Sequence, residues 1–229
     1  MNNLFRIFAR DEVVCIIPTL NECATVAEVI EKAKRFVSRV IVVDGCSEDG
    51  TDKFAEDAGA EVVLQDGMGK GMALQTVFGK VKAEIYVIID GDATYDALEM
   101  RMIVQPILEG EADMVIGSRL GGKMEKGAIS RLNKVGNRLF NFLINFVFNG
   151  EISDSQSGYR ALNRETVERL SLSSKGFEVE TEMTVKALKK GLRISDVPIT
   201  YVRRRGSSSK LNSFRAGFRI LKMIISLSS

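Results

Sequence analysis

Five short apolar runs, the first stopped by a proline and the others closed by a polar or charged residue, each followed by a helical or turn pattern, limit what this chain can become. The runs are "EVVCIIP" (12–18), "RVIVVD" (39–44), "EVVLQD" (61–66), "EIYVIID" (84–90) and "ADMVIGSR" (112–119). Their apolar residues are mostly continuous, which is the pattern of strands covered on both faces. The segment "ECATVAEVIEKAKRFV" (22–37) spaces Val26, Val29, Ile30, Ala33 and Val37 as a helix does. "DKFAEDAGA" (52–60) is a short helix with a glycine stop, and "KGMALQTVFGKV" (70–81) and "DALEMRMIVQPILEG" (96–110) are further helices, the last carrying Pro106. Strands alternating with helices predict an α/β fold, a mostly parallel sheet with helices on both faces.

In such sheets ligands bind beyond the carboxyl ends of the strands. The residues found there are Asn21 and Glu22, Asp44, Asp66 and Lys70, Asp90 and Asp92, and Ser118 and Arg119. Asp90 and Asp92 stand two positions apart, and two carboxylates so close repel unless a cation lies between them. Oxygen ligands of this kind suit Mg²⁺ or Mn²⁺ on a diphosphate. A solvated turn after a strand is the plainer alternative. The glycines of "DGMGKGMA" (66–73) follow GxGxG and match neither a dinucleotide fingerprint nor a Walker A loop. They place a helix N-terminus and Lys70 toward an anion, or form only a capping loop.

The rest of the chain reads differently. "SRLNKVGNRLFNFLINFVFNG" (130–150) is a long helix, "DSQSGYRALN" (154–163) a loop entering a short strand, and "ETEMTVKALKKG" (180–191) a helix. "LRISDVPITYV" (192–202) gives two strands around Pro198, and "SFRAGFRILKMIISL" (213–227) a basic amphipathic tail helix. Arg131, Lys134 and Arg138 share one face of the long helix, with Leu132, Val135, Leu139, Phe142 and Phe146 opposite. In the tail, Phe214, Phe218, Leu221, Ile224 and Ile225 oppose Arg215, Arg219 and Lys222. The long helix is either packed in a core with its bases solvated or laid on lipid with its bases on a lipid phosphate. No acidic residue follows Asp196, which suits an anionic partner.

Composition removes several chemistries. The 229 residues include no histidine, so imidazole metal sites and serine–histidine triads are excluded. Cys15, Cys23 and Cys46 form no CxxC pair, which argues against a disulfide framework or a zinc site. A net charge of +2 gives no reason to expect a nucleic-acid partner. The length and the 45% hydrophobic content fit one domain over residues 1–229. With no signal-peptide pattern and no apolar run of about 18 residues, the expected place is cytoplasmic, peripheral on a membrane face.

The ordered motifs "IIPTLNE" (16–22), "VVDGCSEDGT" (42–51), "GKG" (69–71), "DGD" (90–92), "GSR" (117–119), "DSQSGYRA" (154–161), "FEVETEM" (177–183) and "SKLNSFRAGFRI" (209–220) resemble family 2 glycosyltransferases. The resemblance is to the branch of polyprenyl-phosphate glycosyltransferases that contains dolichol-phosphate mannose synthase, and it runs from about residue 12 to 222. It implies a GT-A fold and inverting transfer of a sugar from a nucleotide sugar to a polyprenyl (dolichyl) phosphate, with 11–120 as the nucleotide-sugar-binding half and 121–229 as the acceptor-binding half. Under it, Pro18, Glu22 and Asp44 would line the nucleoside pocket, and Asp90 and Asp92 would hold Mg²⁺ or Mn²⁺. Arg119 and Arg131 would meet the acceptor phosphate, and Arg203 or Arg205 with Lys210 would close over the donor diphosphate.

Leu20 stands where the family usually has an aromatic residue, and Thr94 where mannose synthases have glutamine, so GDP-mannose and UDP-hexoses both stay open as donors. A saccharide hydroxyl is the alternative acceptor, and it would require a carboxylate base from Asp154, Glu180 or Glu182. A non-catalytic nucleotide-binding module is a further alternative. A sugar nucleotidyltransferase would carry a glycine-rich basic loop where this chain has "TLNECAT".

Overall fold

The structure is a computed structural model and describes residues 13–206 and 213–228. Seven strands form one sheet among the described residues: β1 (Val13–Thr19), β2 (Arg39–Asp44), β3 (Glu61–Leu64), β4 (Ile85–Ile88), β5 (Met114–Met124), β6 (Arg160–Asn163) and β7 (Ile194–Tyr201). Their order is β3-β2-β1-β4-β6-β5-β7. All neighbours run parallel except β6, which is antiparallel to both β4 and β5. The mixed α/β architecture is the one the strand–helix alternation predicts.

Among the described residues eight α-helices accompany the sheet: α1 (Val26–Ala33), α2 (Thr51–Asp57), α3 (Lys70–Lys80), α4 (Met100–Leu108), α5 (Arg131–Phe148), α6 (Arg164–Leu170), α7 (Val179–Lys189) and α8 (Ser213–Ser228). The continuous apolar strands serve two cores. In β1, Val13, Cys15 and Ile17 face the cluster that includes Val29, Ile30, Met100 and Ile103. Val14 and Ile16 face the opposite cluster, with Leu74, Val77 and Met183. Side chains alternate across a strand, so a strand buried on both sides must be apolar at every position.

One reading needs correction, and one of two open alternatives for the long helix is removed. The segment around Pro198 is one strand, β7, and not two. It lies at the sheet edge and pairs only with β5, where a missing N–H is tolerated. The apolar stripe of α5 does not enter a core. Leu132, Val135, Leu139, Phe142 and Phe146 are all exposed, Phe146 to 78%. The buried positions of α5 are Asn141 and Ile144.

That inversion has a hydrogen-bonding cause. The Asn141 amide donates to the Ser153 carbonyl, and its oxygen accepts from the backbone N–H and hydroxyl of Ser155. Asn145 exchanges two bonds with the Ile152 backbone. Two asparagines thus peg the 150–155 segment under α5. Helix α8 packs on α5 and α7, and its Ile220 and Ile224 join Ile144 and Val185 in a small third core. Ile224 therefore belongs to the inner face of the tail helix, while Phe218, Leu221 and Ile225 are exposed.

Candidate active site

Parallel register brings the ends of β1, β2 and β4 to one edge, with Thr19 opposite Asp44 and Ile16 opposite Ile88. The pocket at this edge is lined by Pro18, Leu20 and Glu22 after β1, Gly45 and Gln65 after β2 and β3, and Asp90 and Asp92 after β4. Lys70, Phe177 and Arg204 complete its walls. Gly91 lies between the two aspartates because a β-carbon there would meet the Thr19 methyl at 2.9 Å.

Asp44 acts one step back from the pocket. It accepts from the Thr19 hydroxyl at 3.0 Å, the Ser47 hydroxyl at 2.6 Å and the Ser47 N–H at 2.7 Å. It thereby fixes the turn that presents Gly45. Asp92 is buried and fixed by Thr94, whose N–H and hydroxyl both donate to Oδ1. Thr94 thus orients this carboxylate. Burial first, and then the neighbouring charge of Asp90, push the Asp92 carboxyl above its ordinary pKa. A cation between the two would relieve that repulsion.

Among the described residues no three acidic or cysteine side chains gather as metal ligands. Asp90 and Asp92 offer two carboxylates beside the pocket, a donor set that suits a Mg²⁺ or Mn²⁺ taking its remaining oxygens from a diphosphate and water.

Lys70 occupies a different place from the one its position at the start of α3 predicts. Its Nζ lies 2.5 Å from Asp90 and 2.6 Å from Glu180 of α7, bridging two carboxylates. Burial works against the ammonium, but those two charges outweigh it and hold the pKa well above the ordinary value. Tight glycines make this possible. The Gly71 N–H donates to the Lys175 carbonyl, and a β-carbon on Gly71 would fall 2.0 Å from the Ser174 carbonyl oxygen. Gly158 packs so closely that its β-carbon would meet both Asp90 and Lys70 at 2.7 Å.

The arginines sort themselves unexpectedly. Arg119 is buried, and its guanidinium donates to both oxygens of Asp154 at 2.8 and 2.7 Å. It also lies 5.3 Å from the centre of the Tyr201 ring. Its fork is thus engaged internally rather than presented to an acceptor phosphate. Arg203 pairs with Glu125 and Arg205 with Glu28, both on the exposed surface, and neither lines the pocket.

The one that does is Arg204, which sequence reasoning did not single out. It pairs with Glu22 and lies 3.3 Å from Asp92. Three consecutive arginines carry no signal of which one turns inward; the exit direction of β7 decides it. Lys210 lies outside the described residues. Arg131 and Arg138 are exposed and Lys134 half-buried at the start of α5, and none of the three lines the pocket.

A parallel-sheet edge that carries paired aspartates and a pocket beyond the strand ends is the arrangement of an α/β ligand-binding site. The glycosyl transferase family 2 model matches residues 14–171, and the chain belongs to that family. It is 43% identical over 210 residues to glycosyltransferase AglJ of Haloferax volcanii, covering 90% of this chain and 69% of that protein. It is 35% identical to the low-salt glycan biosynthesis hexosyltransferase Agl6 of the same organism, with 92% of this chain matched to 52% of that longer protein.

It is 30% identical to a dolichyl-phosphate hexose transferase of Haloferax volcanii, covering 94% of this chain and 93% of that one. In fold, it is similar to glucosyl-3-phosphoglycerate synthase of Mycobacterium tuberculosis, crystallised with Mn²⁺, UDP and glucosyl-3-phosphoglycerate. That likeness has a TM-score of 0.77 at 24% identity, over 97% of this chain and 81% of that one. The GT-A fold and the family are those the motif resemblance implies.

Proposed function

We propose that this glycosyltransferase moves a hexose from a nucleotide sugar, GDP-mannose or a UDP-hexose, to a polyprenyl phosphate at a membrane surface, with inversion. The observation that carries the choice of acceptor is the state of the three candidate bases. Asp154 is fully buried and doubly bonded to Arg119. Glu180 holds Lys70 with one oxygen, and its other oxygen is sealed in the interior. Glu182 accepts from Ser173, Ser174 and Lys186. Burial alone would raise its pKa, but these bonds outweigh burial and lower it. None is placed to take a proton from a hydroxyl. A phosphate acceptor needs no base, because it is already an anion at neutral pH and requires positioning.

In the transfer, an acceptor phosphate oxygen attacks the anomeric carbon. The bond from that carbon to the donor diphosphate breaks, and the nucleoside diphosphate leaves with the electron pair. Pro18, Leu20, Glu22 and Gly45 form the nucleoside side of the pocket. A Mg²⁺ or Mn²⁺ held by Asp90 and Asp92 would neutralise charge growing on the leaving diphosphate.

The outer surface supports a lipid-borne acceptor. Helices α5 and α8 leave apolar side chains uncovered, Phe146 at 78% and Phe218 at 70%, beside exposed Arg138, Arg219 and Lys222. No described helix is long and apolar enough to cross a membrane, and an apolar face flanked by bases suits the interface plane. The relative named as a dolichyl-phosphate hexose transferase is consistent with this reading. The test is a panel of labelled nucleotide sugars with and without polyprenyl phosphate. The proposal expects a labelled lipid that forms only when the lipid phosphate is present.

A further inference from the structure

We infer that Arg204 and the divalent cation are alternative occupants of the Asp92 carboxylate, so that the cation enters the site together with the donor diphosphate and not before it. This inference rests on the reading of Asp90 and Asp92 as the cation's ligands. Both carboxylates already carry a protein cation. Lys70 lies 2.5 Å from Asp90, and Arg204 lies 3.3 Å from Asp92 while pairing with Glu22 across the pocket.

The two bases are not equivalent. Lys70 is locked from behind by Glu180 at 2.6 Å and is almost wholly buried, so it stays with Asp90 as a fixed part of the wall. The Arg204 side chain keeps 24% of its surface exposed, against 8% for Lys70, and belongs to the segment that follows β7. It is therefore the base able to move.

The carboxylate it covers is ready to take a metal. Asp92 has one oxygen, Oδ1, held by Thr94, while Oδ2 is the atom facing Arg204. A cation on Oδ2 would stand next to a guanidinium, and like charges at that range repel. A diphosphate removes the conflict. Its phosphoryl oxygens can accept two bonds from the planar guanidinium fork on a single anion, in place of two separate carboxylates, and it supplies oxygens to the cation at the same moment. In this account Arg204 shields the acidic mouth when the site is empty and becomes a donor-binding residue when the site is full.

Direct Mn²⁺ binding, followed by the loss of the free-ion paramagnetic resonance signal, tests this without any turnover. The proteins are the full chain and its Arg204→Gln, Arg204→Lys and Glu22→Gln variants, each first shown to melt cooperatively. For the wild type, weak Mn²⁺ binding strengthened at least about tenfold by UDP or GDP is expected. Arg204→Gln should bind Mn²⁺ alone about tenfold more tightly than the wild type and should lose most of the nucleotide enhancement. Arg204→Lys should resemble the wild type.

Glu22→Gln leaves the arginine with Asp92 as its remaining carboxylate partner in the pocket and should bind Mn²⁺ alone more weakly. Equal or weaker Mn²⁺ binding by Arg204→Gln without nucleotide would overturn the inference while leaving the metal reading intact. No Mn²⁺ binding by any of these proteins, even with UDP and GDP present, would overturn both.

Discussion

Arg119 and Arg160 show how much charge this site keeps out of solvent for structural ends. Arg160 is fully buried without a carboxylate in contact. It donates instead to the Ser155 and Ser157 carbonyls and the Thr184 hydroxyl. Burial brings its pKa down to about 10, so it remains charged at neutral pH. It thereby pins the 155–158 loop whose Gly158 rests on Asp90 and Lys70.

Arg119 and Asp154 do the same from the β5 side. Removing Asp154 would strand a buried guanidinium, and breaking such a pair by one partner costs about 3–5 kcal/mol. Asp154→Ala is therefore expected to lower unfolding free energy by about that amount in a denaturant titration. A loss under about 1 kcal/mol would mean that Arg119 finds another partner. Asp92→Asn makes the complementary case. It should leave the melting temperature near that of the wild type, because Thr94 can still donate to the amide oxygen, yet abolish transfer. Chelation by excess EDTA should do likewise, and full activity in EDTA would remove the cation from the account.

The elements divide into those that local sequence specifies and those that packing specifies. The strands β1, β2 and β4 and their acidic ends are legible because continuous apolar runs and terminal aspartates are properties of adjacent residues. The reversed β6 is not. Four residues carry too little pattern to set direction, and its place between β4 and β5 follows from pairings far apart in the chain. The same limit hid the partnership of Lys70 with Glu180, 110 residues away, and the inward turn of Arg204 among three arginines.

Helix α5 allowed two readings for a physical reason. A hydrophobic stripe signals a dry partner, but not whether that partner is the protein's own core. Its asparagines bind the 150–155 backbone, and this decides which face turns inward. Asn141→Ala removes three hydrogen bonds beneath the helix and should cost about 1–3 kcal/mol in unfolding free energy. Phe142→Ser with Phe146→Ser should each stay within about 0.5 kcal/mol of the wild type, as exposed positions do. Destabilisation by more than about 2 kcal/mol would show that these rings are covered within the folded chain.

At the scale of the molecule, one sheet edge gathers the nucleotide pocket while α5 and α8 carry the uncovered apolar rows. The sheet draws β6 and β7 from the second half of the chain, so both halves share one framework. Binding to anionic vesicles should follow from this surface. It should weaken as salt rises, because exposed charges are screened over about 10 Å at 0.1 M. It should also fall in the Phe142→Ser/Phe146→Ser double variant. Equal co-sedimentation with neutral and anionic vesicles would remove the electrostatic part.

The central claim is that the acceptor is an anion needing no catalytic base. The most direct measurement compares two acceptors that differ only in the phosphate, polyprenyl phosphate and the free polyprenol, with the same labelled nucleotide sugar and Mn²⁺. The account predicts a labelled product from the phosphate and none from the alcohol at any pH at which the protein stays folded. Comparable transfer to the alcohol would contradict it, since that reaction demands a carboxylate base and Asp154, Glu180 and Glu182 are all otherwise engaged.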